Sequence, residues 1–149
     1  MGWKFYDTAT LPEIYDIVWC KWPQREDRNL PGPVIRPVLV REIMILEDGL
    51  AGVQYGAVVI SYGSGAGIDD VARKNDFVVE DWAEVHAAGL HKPTRFSLDP
   101  RDRKRLPWCE EYFVPPDYKV NGKLILGRLT ESQQSRLRKL LAARGFQGS

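Results

Sequence analysis

The stretch from Asp16 to Val40, DIVWCKWPQREDRNLPGPVIRPVLV, constrains the fold most. Tyr15 to Trp22 reads as a strand, with Ile17, Trp19 and Lys21 pointing one way and Val18, Cys20 and Trp22 the other. Pro23 ends it, because proline has no N–H for a sheet ladder. Gln24 to Pro33 is a loop with four charges followed by Pro-Gly-Pro. Loops this long inside compact domains are often functional; the plain alternative is a solvated insertion. Val34 to Leu46 resumes as a long Val- and Ile-rich strand. Asp48-Gly49 is a turn signal, and Val53 to Ser61 is the expected hairpin partner. Neither strand alternates cleanly. Both are therefore expected to be covered on two faces or to wrap a small barrel.

The remaining segments are shorter. Residues 1–14 form a lead-in whose Trp3, Phe5 and Tyr6 should pack onto the body. Phe77 to Val79 reads as a short strand. Glu80 to Ala88 reads as one or two helical turns closed by Gly89. Pro93 to Leu98 reads as a strand, followed by an Asp99-Pro100 turn. The basic run RDRKR, 101–105, is placed on a turn, where it would be solvated or would attract phosphates beside a groove. Leu106 to Val114 is strand-like, and Asn121-Gly122 turns into a strand over Lys123 to Leu126. The clearest helix spans 130–144. Thr130-Glu131-Ser132-Gln133 is a capping box, Leu137, Leu140 and Leu141 form an apolar stripe, and Gly145 is a stop. No helices alternate with strands, which argues against a doubly wound fold. The expectation is a single domain over 1–149, mainly β in an α+β arrangement. It has about five to seven strands in a strongly bent sheet or barrel and a C-terminal α-helix.

At 44% hydrophobic and 28% charged, the composition is that of an ordinary globular chain. The net charge of +1 gives no global nucleic-acid signal, so any basic surface must be local. Cys20 and Cys109 lie far apart in apolar runs, so they are read as buried thiols suited to a reducing compartment, not as zinc ligands. The opening residues lack the pattern of a secretory leader, and no apolar run reaches membrane-spanning length. A cytoplasmic protein without membrane contact, metal or cofactor is expected. The glycine-rich 63–67 segment lacks the dinucleotide and Walker spacings, so a surface loop is favoured over a nucleotide cradle.

Three segments resemble one family. DIVWCKWP followed by a polar loop and IRPVLV is similar to the opening of the MazF/PemK toxin ribonucleases. AGLHKPTRFSLD, 88–99, resembles that family's Gly-Leu-x-x-Pro-Ser strand. ILGRLTESQQSRLRKLL, 125–141, resembles its closing strand, turn and terminal helix. The resemblance implies a small SH3-like barrel of the MazF/PemK/CcdB kind, usually a homodimer. It implies metal-independent cleavage of single-stranded RNA, restrained by a cognate antitoxin. It places Arg36 on the catalytic arginine and Ser61 on a Thr or Ser after the third strand. Asp99 falls on an acidic residue that some members use, although those members carry Arg two positions earlier, where this chain has Ser97. The long charged segment 63–85, the lead-in and the balanced charge depart from a compact toxin. A non-catalytic SH3-like module binding RNA or protein is the alternative.

In such a reaction the ribose 2′-OH attacks the adjacent phosphate, and charge builds on the phosphate oxygens. A guanidinium offers those oxygens two charge-assisted bonds. The proline after Arg36 biases it toward extended backbone at a strand start or edge. Its ordinary alternative role is an ion pair with Glu26, Asp27 or Glu42. A hydroxyl such as Ser61 can hold a phosphate oxygen. Asp99, His86 and His91 are the candidate bases. Arg25, Arg28, Arg95, Arg101 and Lys104 are the expected RNA contacts. Trp22 and Trp108 are the tryptophans to test as stacking platforms.

Overall fold

The computed structural model describes residues 2–24, 30–47, 49, 52–65, 76–116 and 122–143. They form seven strands and two α-helices in the order β1 (Asp16–Lys21), β2 (Ile35–Glu47), β3 (Gln54–Ser64), β4 (Phe77–Val79), α1 (Trp82–Ala87), β5 (Thr94–Phe96), β6 (Arg103–Pro107), β7 (Ile125–Arg128) and α2 (Glu131–Ala143). The strands make one curled, antiparallel, half-barrel sheet in the order β4-β5-β3-β2-β1-β7. β3 carries β2 along one edge; along the other it carries β6 at Ala57–Ser61 and then β5 at Gly63 and Ser64. The chain is thus mainly β with a terminal helix, as its sequence pattern indicates.

The two faces of the sheet bury different cores. Val18, Cys20, Val38, Val40, Val58 and Ile60 line one face with Leu106, Trp108, Cys109, Tyr112 and Phe113. Trp3 and Tyr6 of the lead-in pack against this cluster. Phe5 stays half in solvent, its ring 4.8 Å from that of Tyr55. On the other face Ile17 and Leu39 meet Phe77, Val79, Phe96, Val85, Leu129, Leu137 and Leu141. Two opposed cores explain why strands of a small sheet read as nearly continuous apolar runs. The helix α2 is fixed by its capping box: Thr130 N–H donates to Gln133 Oε1 at 2.8 Å and Gln133 N–H to Thr130 Oγ1 at 3.2 Å. The Gln133 amide also donates to the Glu84 carbonyl of α1 at 3.0 Å.

Three local expectations change. RDRKR is not all turn: a 3₁₀ turn covers Pro100–Asp102, and Arg103 begins β6. Among the described strands β6 pairs only with β3. Lys and Arg suit such an edge because they resist further pairing. The segment from Leu106 to Val114 leaves the ladder after Pro107. Its apolar side chains complete the core around Val18 and Val58 from turns, in which Phe113 N–H bonds the Cys109 carbonyl at 3.0 Å. β3 runs on through Gly63 and Ser64 into the glycine-rich segment. A side chain at Gly63 would collide with the carbonyl oxygen of Pro37, so glycine is required there by the approach of β2. Residues 66 and 67 and Gly145 lie outside the described residues.

Candidate functional site

Strand pairing assigns side chains to faces. Cys20 pairs with Arg36, Val38 with Tyr62, and Ile60 with Lys104. Paired residues share a face and successive residues alternate, so Arg36, Tyr62 and Lys104 stand on the same face as Cys20, Val38 and Ile60. They lie at the end of the strands, past the sealed core. Trp22, just beyond β1, joins them, and all four are half-buried.

Their contacts alternate cation and ring. The Arg36 guanidinium carbon lies 5.2 Å from the Tyr62 ring centroid. The Tyr62 ring meets Trp22 edge-on, 5.1 Å between centroids at 69°. Lys104 Nζ is 5.9 Å from the Trp22 ring. Among the described residues no carboxylate pairs with Arg36 or Lys104. Glu42, one of the three alternative ion-pair partners, pairs with Arg103 at 2.7 Å; Glu26 and Asp27 lie outside the described residues. A half-buried guanidinium held by a ring, with no counter-charge among the described residues, can offer its outward N–H groups to an anion. Rings interleaved with cations are also what a single strand of nucleic acid stacks on.

The remaining sequence candidates are scattered. Ser61 pairs with Leu39 and Arg103, which sets it on the opposite face from Arg36. It is fully buried and accepts a hydrogen bond from Arg41 Nη1 at 2.9 Å. Arg36 and Ser61 therefore do not share a site in this structure. One step of alternation beyond Tyr62, it is Ser64 that shares the face of Arg36. Asp99 is clamped by Arg101, whose Nη2 and Nε reach it at 2.7 and 3.1 Å. That clamp, together with the Arg101 backbone N–H, lowers the Asp99 carboxyl to about 2, which makes it a poor proton acceptor. Arg95 is buried and ion-paired with Asp76 at 2.8 Å, so it does not present itself to RNA. Arg101 is well exposed but engaged by Asp99. Of the expected RNA contacts, Lys104 alone is seen beside Arg36; Arg25 and Arg28 lie outside the described residues.

His86 lies on the exposed side of α1 beside Trp82, 5.9 Å between rings. His91 stacks near-parallel on Trp19 at 6.1 Å. Trp108 is buried and donates its indole N–H to Thr10 Oγ1 at 3.1 Å, which removes it as a stacking platform. The sequence reading missed Tyr62, although alternation from Ile60 would have put it on the row of Arg36. It also missed Arg41, which reads as one more charge in a strand. Among the described residues no group of three or more His, Cys, Asp or Glu is placed to hold a metal ion, and no helix is long and apolar enough to cross a membrane. Comparison with family models, with curated proteins and with solved structures finds no match to this chain.

Proposed function

We propose that this chain is an endoribonuclease acting on single-stranded RNA, with Arg36 as the phosphate ligand. The supporting observation is Arg36 held over Tyr62, beside Trp22 and Lys104, with no carboxylate partner among the described residues. The resemblance of DIVWCKWP and IRPVLV to the MazF/PemK opening supplies the reaction class. The 2′-oxygen bonds to phosphorus, the bond to the 5′-oxygen breaks, and a 2′,3′-cyclic phosphate and a 5′-hydroxyl result. Arg36 would carry the charge that develops on the phosphate oxygens, a kind of stabilisation worth several kcal/mol in water-excluded sites. Under the same reading the protein is a cytoplasmic homodimer held in check by an antitoxin.

The test is incubation of the purified chain with single-stranded RNA in excess chelator. Cleavage with cyclic-phosphate ends, abolished in Arg36→Ala, supports the proposal. Intact RNA under conditions where a known ribonuclease works overturns it. A second reading, a binding module without catalysis, is favoured by the burial of Ser61 on the opposite face and by the engaged Asp99. It expects a gel shift lost in Arg36→Ala, no cleavage, and no growth arrest on expression.

A further inference from the structure

The face opposite Arg36 holds a buried cation that the proposed reaction does not use. β2 carries one extra residue against β3: Val40 pairs with Ile60, but Glu42 with Val59. The unpaired residue in this bulge is Arg41. It is only 3% exposed. Its one hydrogen bond among the described residues goes from Nη1 to Ser61 Oγ, and its Nε has no acceptor. A buried guanidinium donor is thus left without an acceptor beside a hydroxyl whose oxygen already accepts from the same side chain, an arrangement native interiors avoid unless something else supplies the acceptor. No carboxylate pairs with Arg41 among the described residues.

Above these groups lies an ion pair. Arg103 stands opposite Ser61 on β6, and Glu42 belongs to β2 on the far side of β3. Their 2.7 Å contact therefore crosses β3 over the Ser61–Val59 stretch. Both side chains are partly exposed, at 33% and 45%. Exposed pairs of this kind contribute little stability and open readily. When this one opens, Arg103 is released beside Arg41 and Ser61.

We infer that Arg41, Ser61 and Arg103 form a second anion site, specific for a phosphate-type oxyanion, which the Glu42 carboxylate occupies in the absence of ligand. The incoming anion displaces Glu42 from Arg103 and accepts from Arg41 Nε, from the Ser61 hydroxyl and from Arg103. Planar forks of this type match phosphate geometry, and two of them with a hydroxyl outnumber what one carboxylate can satisfy. The low-lying Arg41 titration, brought to about 10 by burial and by the charge of Arg103, fits two cations gathered without enough anion. The site is independent of the Arg36 face, because the sheet separates them.

The experiment is calorimetric titration of the full chain with inorganic phosphate at low ionic strength. The Arg36→Gln background removes any contribution from the other face. Adding Glu42→Gln removes the internal competitor and should tighten phosphate binding by about tenfold, the equivalent of one charge-assisted bond. The Arg41 Nε–H resonance should move on titration, and Arg41→Met should abolish binding. Should Arg41→Met fail to fold, the resonance shift in the Glu42→Gln chain decides. A parallel titration uses an RNA trinucleotide without terminal phosphates. Tightening with both ligands assigns a phosphodiester, and tightening with inorganic phosphate alone assigns a free phosphate; either supports the site. No gain with either ligand, or a stationary Arg41 resonance, overturns it.

Discussion

The guanidinium of Arg36 lies over the ring of Tyr62, so each fixes the other near the strand ends on the face they share. Removing the ring should loosen the cation as well as delete a stacking surface. Tyr62→Leu and Trp22→Leu are each expected to weaken binding of a labelled single-stranded oligonucleotide by about 1–3 kcal/mol, the usual worth of one base–aromatic stack. Fluorescence anisotropy measures this. Unchanged affinity in both variants would place the RNA elsewhere.

Salt provides a second measure of the same surface. Each phosphate contact on a single strand contributes about 0.7 to the slope of log affinity against log salt. Arg36→Gln and Lys104→Gln should each flatten that slope by roughly this amount. Arg95→Gln should leave it alone, because Arg95 is spent on Asp76 inside the fold.

Ser61 is expected to matter for stability. Ser61→Ala takes the acceptor from buried Arg41 Nη1 and should cost about 1–3 kcal/mol in urea denaturation. Arg41→Met removes the cation that needed the acceptor and should be nearly neutral or stabilising. The double variant should then be more stable than Ser61→Ala alone, which a double-mutant cycle reads directly.

The thiols carry a pH signature. Burial pushes Cys109 up to about 11 and raises Cys20 as well. An acid whose native titration lies above its unfolded one favours folding at full strength below the unfolded thiol range. That contribution declines as pH rises through the unfolded range toward the native value. Stability should therefore fall between about pH 9 and 11, and less steeply in a Cys109→Ala chain. Below this window native protein should react slowly with thiol reagents and denatured protein quickly.

Gly89 and Gly127 meet backbone to backbone where the end of α1 crosses β7. A Cβ on either would sit 2.8 Å from the Cα of the other. Gly89 also holds a φ of 82°, which disfavours any side chain there. Gly127→Ala tests packing without that backbone term and should cost about 1–3 kcal/mol, as overpacking generally does. Gly89→Ala should also be costly, since it adds conformational strain to a separate clash with the Leu126 carbonyl oxygen.

Segments with strong local signals were legible in the sequence. β1, β4 and α2 appear within a residue or two of their expected bounds, because alternation, Pro23 and the Thr130–Gln133 box act locally. β6 was not legible, since its pairing with β3 is long-range and its basic side chains look like a turn. Arg36 was legible as an unusual Arg-Pro at a strand start. Its neighbours were not, because Tyr62 and Lys104 reach it only through the register of three strands. That Ser61 faces away from Arg36 was hidden for the same reason: one position along a strand changes the face.

The bulge at Arg41 has a wider consequence for the hairpin. Before it, even-numbered residues of β2 enter the core that holds Val18 and Val58; after it, odd-numbered ones do, with Ile43 opposite Val58. The strand therefore changes parity at a single residue. Were Arg41 drawn into the ladder opposite Val59, Glu42 would face the apolar interior and Ile43 would turn outward, with each later position of β2 inverted; deleting Arg41 would instead remove the bulge and leave Glu42 opposite Val59 and Ile43 opposite Val58. The two halves of the longest strand can share one sheet only because this one residue is never counted in the ladder.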